Sequence, residues 1–135
     1  MENKFDIDNF LGEEFLFAKV QYDQHAVPVL YEKSTIDTIQ LYFKVGVIQI
    51  SSINDTDEIK LTFIQDKTNQ KKRNIEADRN IFKKYIGKKL NQVWTSINSS
   101  GYFDLCILSF SYLDPNILIV SETSGLKLFE AKYMS

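Results

Sequence analysis

Few side chains in this 135-residue chain can move a proton, attack a carbonyl or hold a metal. There is one histidine and one cysteine. His25 stands between two extended segments, beside Gln24 and shortly before Pro28, where a lone imidazole reads as solvated surface rather than as a general base. One His and one Cys cannot supply the four nitrogen and sulfur ligands of a structural zinc site. Cys106 lies mid-strand in Asp104-Leu105-Cys106-Ile107-Leu108, and alternation puts it on one face with Leu108 and Phe110. A reactive thiolate needs an electropositive, partly exposed setting, so this thiol reads as buried and inert. Asp55, Asp57 and Glu58 fall together in Asp55-Thr56-Asp57-Glu58. Carboxylates alone can bind a cation, but the spacing is not that of a calcium loop, and a solvated turn accounts for it.

The five glycines, Gly12, Gly46, Gly87, Gly101 and Gly125, are scattered. No run of them can cradle a phosphate, and no Gly-x-Ser-x-Gly elbow is present. The expectation is a protein with no catalytic residue, no cofactor and no metal, one that works by binding. A small enzyme using carboxylates alone is the remaining catalytic alternative, and it requires a cleft holding at least two acidic groups with displaced pKa values.

Charge is distributed unevenly. Residues 67–89 hold nine basic groups (Lys67, Lys71, Lys72, Arg73, Arg79, Lys83, Lys84, Lys88, Lys89) against Glu76 and Asp78, a charge of +7. Residues 1–66 hold five basic and twelve acidic groups, −7, and residues 90–135 two and four, −2, which together give the formal net charge of −2. A solvated lysine-rich face is the plainest reading of the basic stretch. A second is a nucleic-acid-associated accessory protein that neutralises phosphates there. Against it, only two of the nine are Arg, no aromatic residue lies within Lys67 to Asp78, and the rest of the chain repels phosphate. A third is a protein partner steered by complementary charge. For a basic partner such as a nuclease the candidate contact residues are Asp55, Asp57 and Glu58. For an acidic partner they are Lys71, Lys72 and Arg73.

These residues must be positioned mainly by strands. Ten Phe, seven Tyr and one Trp lean the composition toward β structure. Period-two alternation predicts strands over Glu14 to Tyr22, with Phe15 and Phe17 opposite Leu16, Ala18, Val20 and Tyr22, and over Glu58 to Gln65, with Ile59, Leu61 and Phe63 inward. Between Thr38 and Ile53 the parity flips after Gly46, which requires a bulge or a tight turn. Val27 to Tyr31 reads as an edge piece because Pro28 cannot donate to a ladder, and Lys67 to Asn74 reads as a loop. Short helices are predicted over Asp6 to Leu11 and Asp78 to Ile86, each stopped by a glycine. A C-terminal meander follows, over Leu90 to Asn98, Tyr102 to Tyr112, Ile117 to Glu122 and Leu126 to Tyr133. Trp94, Asn98, Tyr102 and Asp104 flank its first hairpin and could line a groove, although a single Trp in a small β-rich domain favours core packing. The fold expected is α+β: mainly antiparallel sheet with a C-terminal β-meander and one or two short helices packed on it.

At 135 residues the chain fits one domain, 1–135, able to bury a real core without staples. A single cysteine excludes an internal disulfide, and the acidic start Met1-Glu2-Asn3-Lys4-Phe5-Asp6 lacks the layout of a signal peptide. The longest uncharged apolar stretch, Val45 to Ile53, is far too short for a membrane helix. A reducing cytoplasm, with no membrane attachment, is the expected location.

Gly87-Lys88-Lys89-Leu90-Asn91-Gln92-Val93-Trp94, then Asn98, Gly101-Tyr102-Phe103-Asp104 and Leu108-Ser109-Phe110, resemble the C-terminal pattern of small bacterial α+β proteins. Some proteins of that kind are similar to immunity proteins of contact-dependent inhibition and polymorphic toxin systems. The resemblance spans Gly87 to Tyr133, about a third of the chain. It implies a role without an active site, in which the protein binds and neutralises a cognate toxin, and it transfers no functional residue.

Overall fold

Alternating apolar residues become strands throughout the described residues. A computed structural model describes residues 5–22, 36–53, 55–65, 81–110, 114–122 and 125–131. Its eight strands are β1 (Phe15–Tyr22), β2 (Ile36–Phe43), β3 (Gly46–Ile53), β4 (Glu58–Gln65), β5 (Gln92–Ile97), β6 (Phe103–Ser109), β7 (Ile117–Glu122) and β8 (Gly125–Glu130). They form one sheet in the order β4-β3-β2-β8-β7-β6-β5, with β1 paired to β2. Among the described residues every strand pairing is antiparallel.

Two four-stranded meanders, β1–β4 and β5–β8, are joined at several places, so the sheet curls into a half-barrel. Ile36 at the start of β2 pairs with Leu126 of β8. The hydroxyls of Ser52 and Ser121 hydrogen-bond at 2.9 Å between β3 and β7. Residues 12–15 form a short antiparallel ladder with residues 87–90: Gly12 N–H donates to Leu90 O, Leu90 N–H to Glu13 O, Phe15 N–H to Lys88 O and Gly87 N–H to Phe15 O.

The expected α+β class is overturned: among the described residues the only helical pieces are two 3₁₀ turns, Ile7–Asn9 and Ile81–Tyr85. The first begins as predicted, with Asp6 at the N-cap in a reciprocal capping box with Asn9. That box closes after one turn, and the chain then enters the ladder with residues 87–90. A helix so short cannot repay its nucleation by propagation. In the second turn Phe82 and Tyr85 are buried at a spacing of three, which is the repeat of a 3₁₀ turn. Ile81 and Ile86 pack only partly against the core. Residues 78–80, Val27 to Tyr31 and Lys67 to Asn74 lie outside the described residues.

The parity flip after Gly46 marks a hairpin. Phe43 pairs with Gly46 across a turn made by Lys44 and Val45. Glycine is required here by close approach, because a Cβ on Gly46 would land on the carbonyl oxygen of Ile64 in β4. In β1 a register shift between Phe15 and Phe17 makes Leu16 a bulge. The shift separates the two phenylalanines that alternation had placed together. Phe15, Ala18 and Val20 face the core, whereas Phe17 stacks on Tyr42 at 4.3 Å on the outer face.

The core is laid down in cross-strand rows. Ala18, Leu41, Ile48 and Phe63 form one row across β1–β4, and Val20, Ile39, Ile50 and Leu61 the next. Opposite them, Cys106, Ile119 and Leu128 run across β6–β8. Phe15 is the hub between the two halves, with ring centroids 5.7 Å from Phe43, 6.0 Å from Phe82 and 5.0 Å from Phe110. No helix of the described residues is long and apolar enough to cross a membrane.

Candidate partner-binding surface at the acidic end

One end of the half-barrel is built by two turns that are far apart in sequence. In the first, Thr56 N–H donates to Ile53 O at 3.4 Å, and Asp57 takes φ +53°, a left-handed conformation that aspartate tolerates better than most residues. Ile53 then pairs with Glu58, so β4 starts under the turn. In the second, Asn98 organises the β5–β6 hairpin. Its backbone N–H donates to Tyr102 O at 2.8 Å, and its side-chain oxygen accepts from the N–H groups of Ser100 and Tyr102. Gly101 supplies the positive φ, +88°, that this turn needs.

Glu58 ties the two turns together. One carboxylate oxygen accepts the Thr56 hydroxyl at 2.8 Å, and the other accepts the backbone N–H of Phe103 at 3.4 Å. The β5–β6 register skips one residue between Ser96 and Ile97, which leaves Asp104 as a bulge. Asn98 Nδ2 donates to the Asp104 carboxylate at 3.3 Å. Asp55, Asp57, Glu58 and Asp104 therefore belong to one end of the molecule. Ile53 and Tyr102, each 40% exposed, and Ile97, 66% exposed, stand in the same two turns and their flanking strands.

This arrangement is able to make contact with a partner. Exposed apolar side chains can seat in a partner's pockets while the carboxylates accept from its cations. Among the described residues no three His, Cys, Asp or Glu side chains are grouped to hold a metal ion.

Of the residues singled out from sequence, Asp55 is exposed and Asp57 partly so, whereas Glu58 is half-buried with both oxygens engaged. Glu58 thus positions the surface, and Asp104 joins it through Asn98. The recurrence of Asn98, Gly101 and Asp104 around one hairpin was the available signal for that link. Lys71, Lys72, Arg73 and His25 lie outside the described residues.

In the described part of the basic stretch Lys83, Lys84, Lys88 and Lys89 are all exposed. Lys84 reaches Glu130 at 2.6 Å, and that hydrogen bond raises its pKa above the ordinary lysine value. Lys84 and Lys88 both lie over the Tyr85 ring. Trp94, expected in the core, is instead half-buried on the opposite face of the sheet, with Ile107 as its cross-strand neighbour. Cys106 is fully buried, and burial pushes its thiol up to about 12.

A model of a family of unknown function, DUF6334, matches residues 1–135. The chain belongs to that family. No curated protein and no solved structure matches it. Membership assigns it no activity.

Proposed function

We propose that this member of the family is a non-enzymatic, cytoplasmic protein-binding module that engages a basic protein partner through its acidic end. The observation that carries the reading is the Glu58 to Phe103 hydrogen bond. It makes one surface of the turn at residues 55–57 and the hairpin at residues 98–102. Charge complementarity would steer a basic partner to Asp55, Asp57 and Asp104, and the exposed Ile97 and Tyr102 would supply the desolvated contact that holds it. A bacterial toxin whose active site is basic, such as a nuclease, fits that chemistry, and the protein would act as its immunity protein by covering the site.

The test is binding to the product of the neighbouring gene, since immunity and toxin genes are neighbours. Reversing charge at Asp55 and Asp57 should weaken that binding at least tenfold. The competing nucleic-acid reading is separated by a gel shift at low salt, where phosphate contacts are strongest. The protein-partner reading expects no shift.

A further inference from the structure

The sheet ends at β5. Among the described residues this strand pairs with β6 alone, and it stands last in the strand order. Its backbone shows which side faces outward. The Val93 N–H donates to the side-chain oxygen of the preceding residue, Gln92, at 3.1 Å, so it points away from β6. Hydrogen-bonding groups alternate between the two sides of a strand. Thr95 and Ile97 therefore turn their N–H and C=O groups to the same outer side as Val93. Thr95, Ser96 and Ile97 are exposed, Ile97 at 66%.

An edge of this kind is a template for another strand, and proteins blunt it with charge, proline or a bulge. β5 carries none of these: Gln92-Val93-Trp94-Thr95-Ser96-Ile97 is uncharged and has no proline, and the bulge at Asp104 lies in β6. β4, at the other end of the strand order, carries Glu58 and Lys60 and is tied back to β6 through the Phe103 amide.

We infer that the partner binds by adding an extended segment to the β5 edge, and that this segment carries basic side chains. The inference rests on the reading of the acidic end as the partner-binding surface and gives that contact its geometry. Two observations select the occupant. The first is the outward-facing backbone of Val93, Thr95 and Ile97, which an extended chain matches group for group. A helix cannot, because it spends its own N–H and C=O groups internally.

The second is where the edge leads. Its exposed half, Thr95 to Ile97, runs directly into the Asn98 hairpin, and Asp104 is the bulge opposite Ser96 and Ile97, with Asn98 donating to its carboxylate at 3.3 Å. A segment laid along Thr95 to Ile97 thus brings its end to negative charge. Backbone pairing along an uncharged strand supplies affinity, and the acidic end selects for lysine and arginine.

Proline reads the edge. In Thr95→Pro the lost N–H is the outward one, so the β5–β6 ladder keeps its hydrogen bonds and the unfolding midpoint should stay near that of wild type. Calorimetric binding of the neighbouring gene's product should weaken at least tenfold in this variant. Hydrogen exchange followed by NMR needs no substitution. In the chain alone the Thr95 and Ile97 amides should exchange faster than those of Trp94 and Ser96, and they should slow at least tenfold when the gene product is bound.

Slow exchange at Thr95 and Ile97 in the chain alone would overturn the inference, as would an affinity unchanged in Thr95→Pro. If that affinity still falls in the Asp55→Lys, Asp57→Lys double variant, the acidic end stands as the contact and only the strand addition fails. No binding to any neighbouring gene product removes both. Self-association of the chain that Thr95→Pro abolishes would assign the edge to a second copy and overturn the inference too.

Discussion

The Glu58 carboxylate accepts the backbone N–H of Phe103 from 45 residues away, and so closes the end of the half-barrel where β4 begins. A carboxylate with a hydroxyl donor on one oxygen and an amide donor on the other is held in place by both turns. Glu58→Ala leaves the Phe103 amide without that acceptor and should cost about 1–3 kcal/mol. Glu58→Gln keeps an acceptor oxygen and should cost less. Urea unfolding of the two variants beside wild type checks the order.

Phe15 should be the costliest single truncation in the core. It is fully buried and touches rings from β2, the second 3₁₀ turn and the chain just after β6. Phe15→Ala should destabilise by about 3–5 kcal/mol. Phe129→Ala, on the half-exposed outer face, should change stability far less. Thermal or denaturant unfolding of both variants beside wild type separates the two.

Gly46 and Gly101 should respond differently to alanine. At Gly46 the new Cβ meets the Ile64 backbone, which cannot step aside without distorting the β3–β4 ladder, so a loss of about 2–3 kcal/mol is expected. At Gly101 nothing stands within 4 Å of the added carbon, and the cost is the left-handed backbone alone, about 1 kcal/mol. Unfolding midpoints of the two variants test the ranking.

Cys106 makes a pH-dependent contribution of defined sign. Burial raises its folded-state pKa from 9.0 to about 12, so the folded protein holds a proton that the unfolded chain releases. The contribution is complete below pH 9 and is lost as pH rises toward 12. Cys106→Val should flatten the part of the alkaline stability profile that this thiol causes. In the native protein a thiol reagent should label Cys106 only as fast as the structure opens.

Strand positions were legible wherever alternation was uninterrupted. Glu58–Gln65 and Ile117–Glu122 have the predicted limits, and the meander has the predicted order. Helices were misread because the stripe of Ile81, Phe82, Tyr85 and Ile86 fits a helical period as well as it fits one tight turn, and only tertiary pairing of residues 87–90 with residues 12–15 decides between them. The bulge at Leu16 has no local signature, since Phe-Leu-Phe-Ala satisfies either parity, and it moves Phe17 to the other face. Residue type alone puts Trp94 inward, whereas its face is set by the register with β6. At the candidate surface Asp55 and Asp57 could be picked out by composition. The structural role of Glu58 could not, because its partner is a backbone amide brought near by the curl of the sheet.

The central claim is a protein contact made by the acidic end, and calorimetric titration against the product of the adjacent gene tests it most directly. The predicted result is saturable binding that weakens as salt rises and falls at least tenfold, about 1.4 kcal/mol, in the Asp55→Lys, Asp57→Lys double variant. No binding to any neighbouring gene product, or an affinity indifferent to both salt and the double reversal, would contradict it.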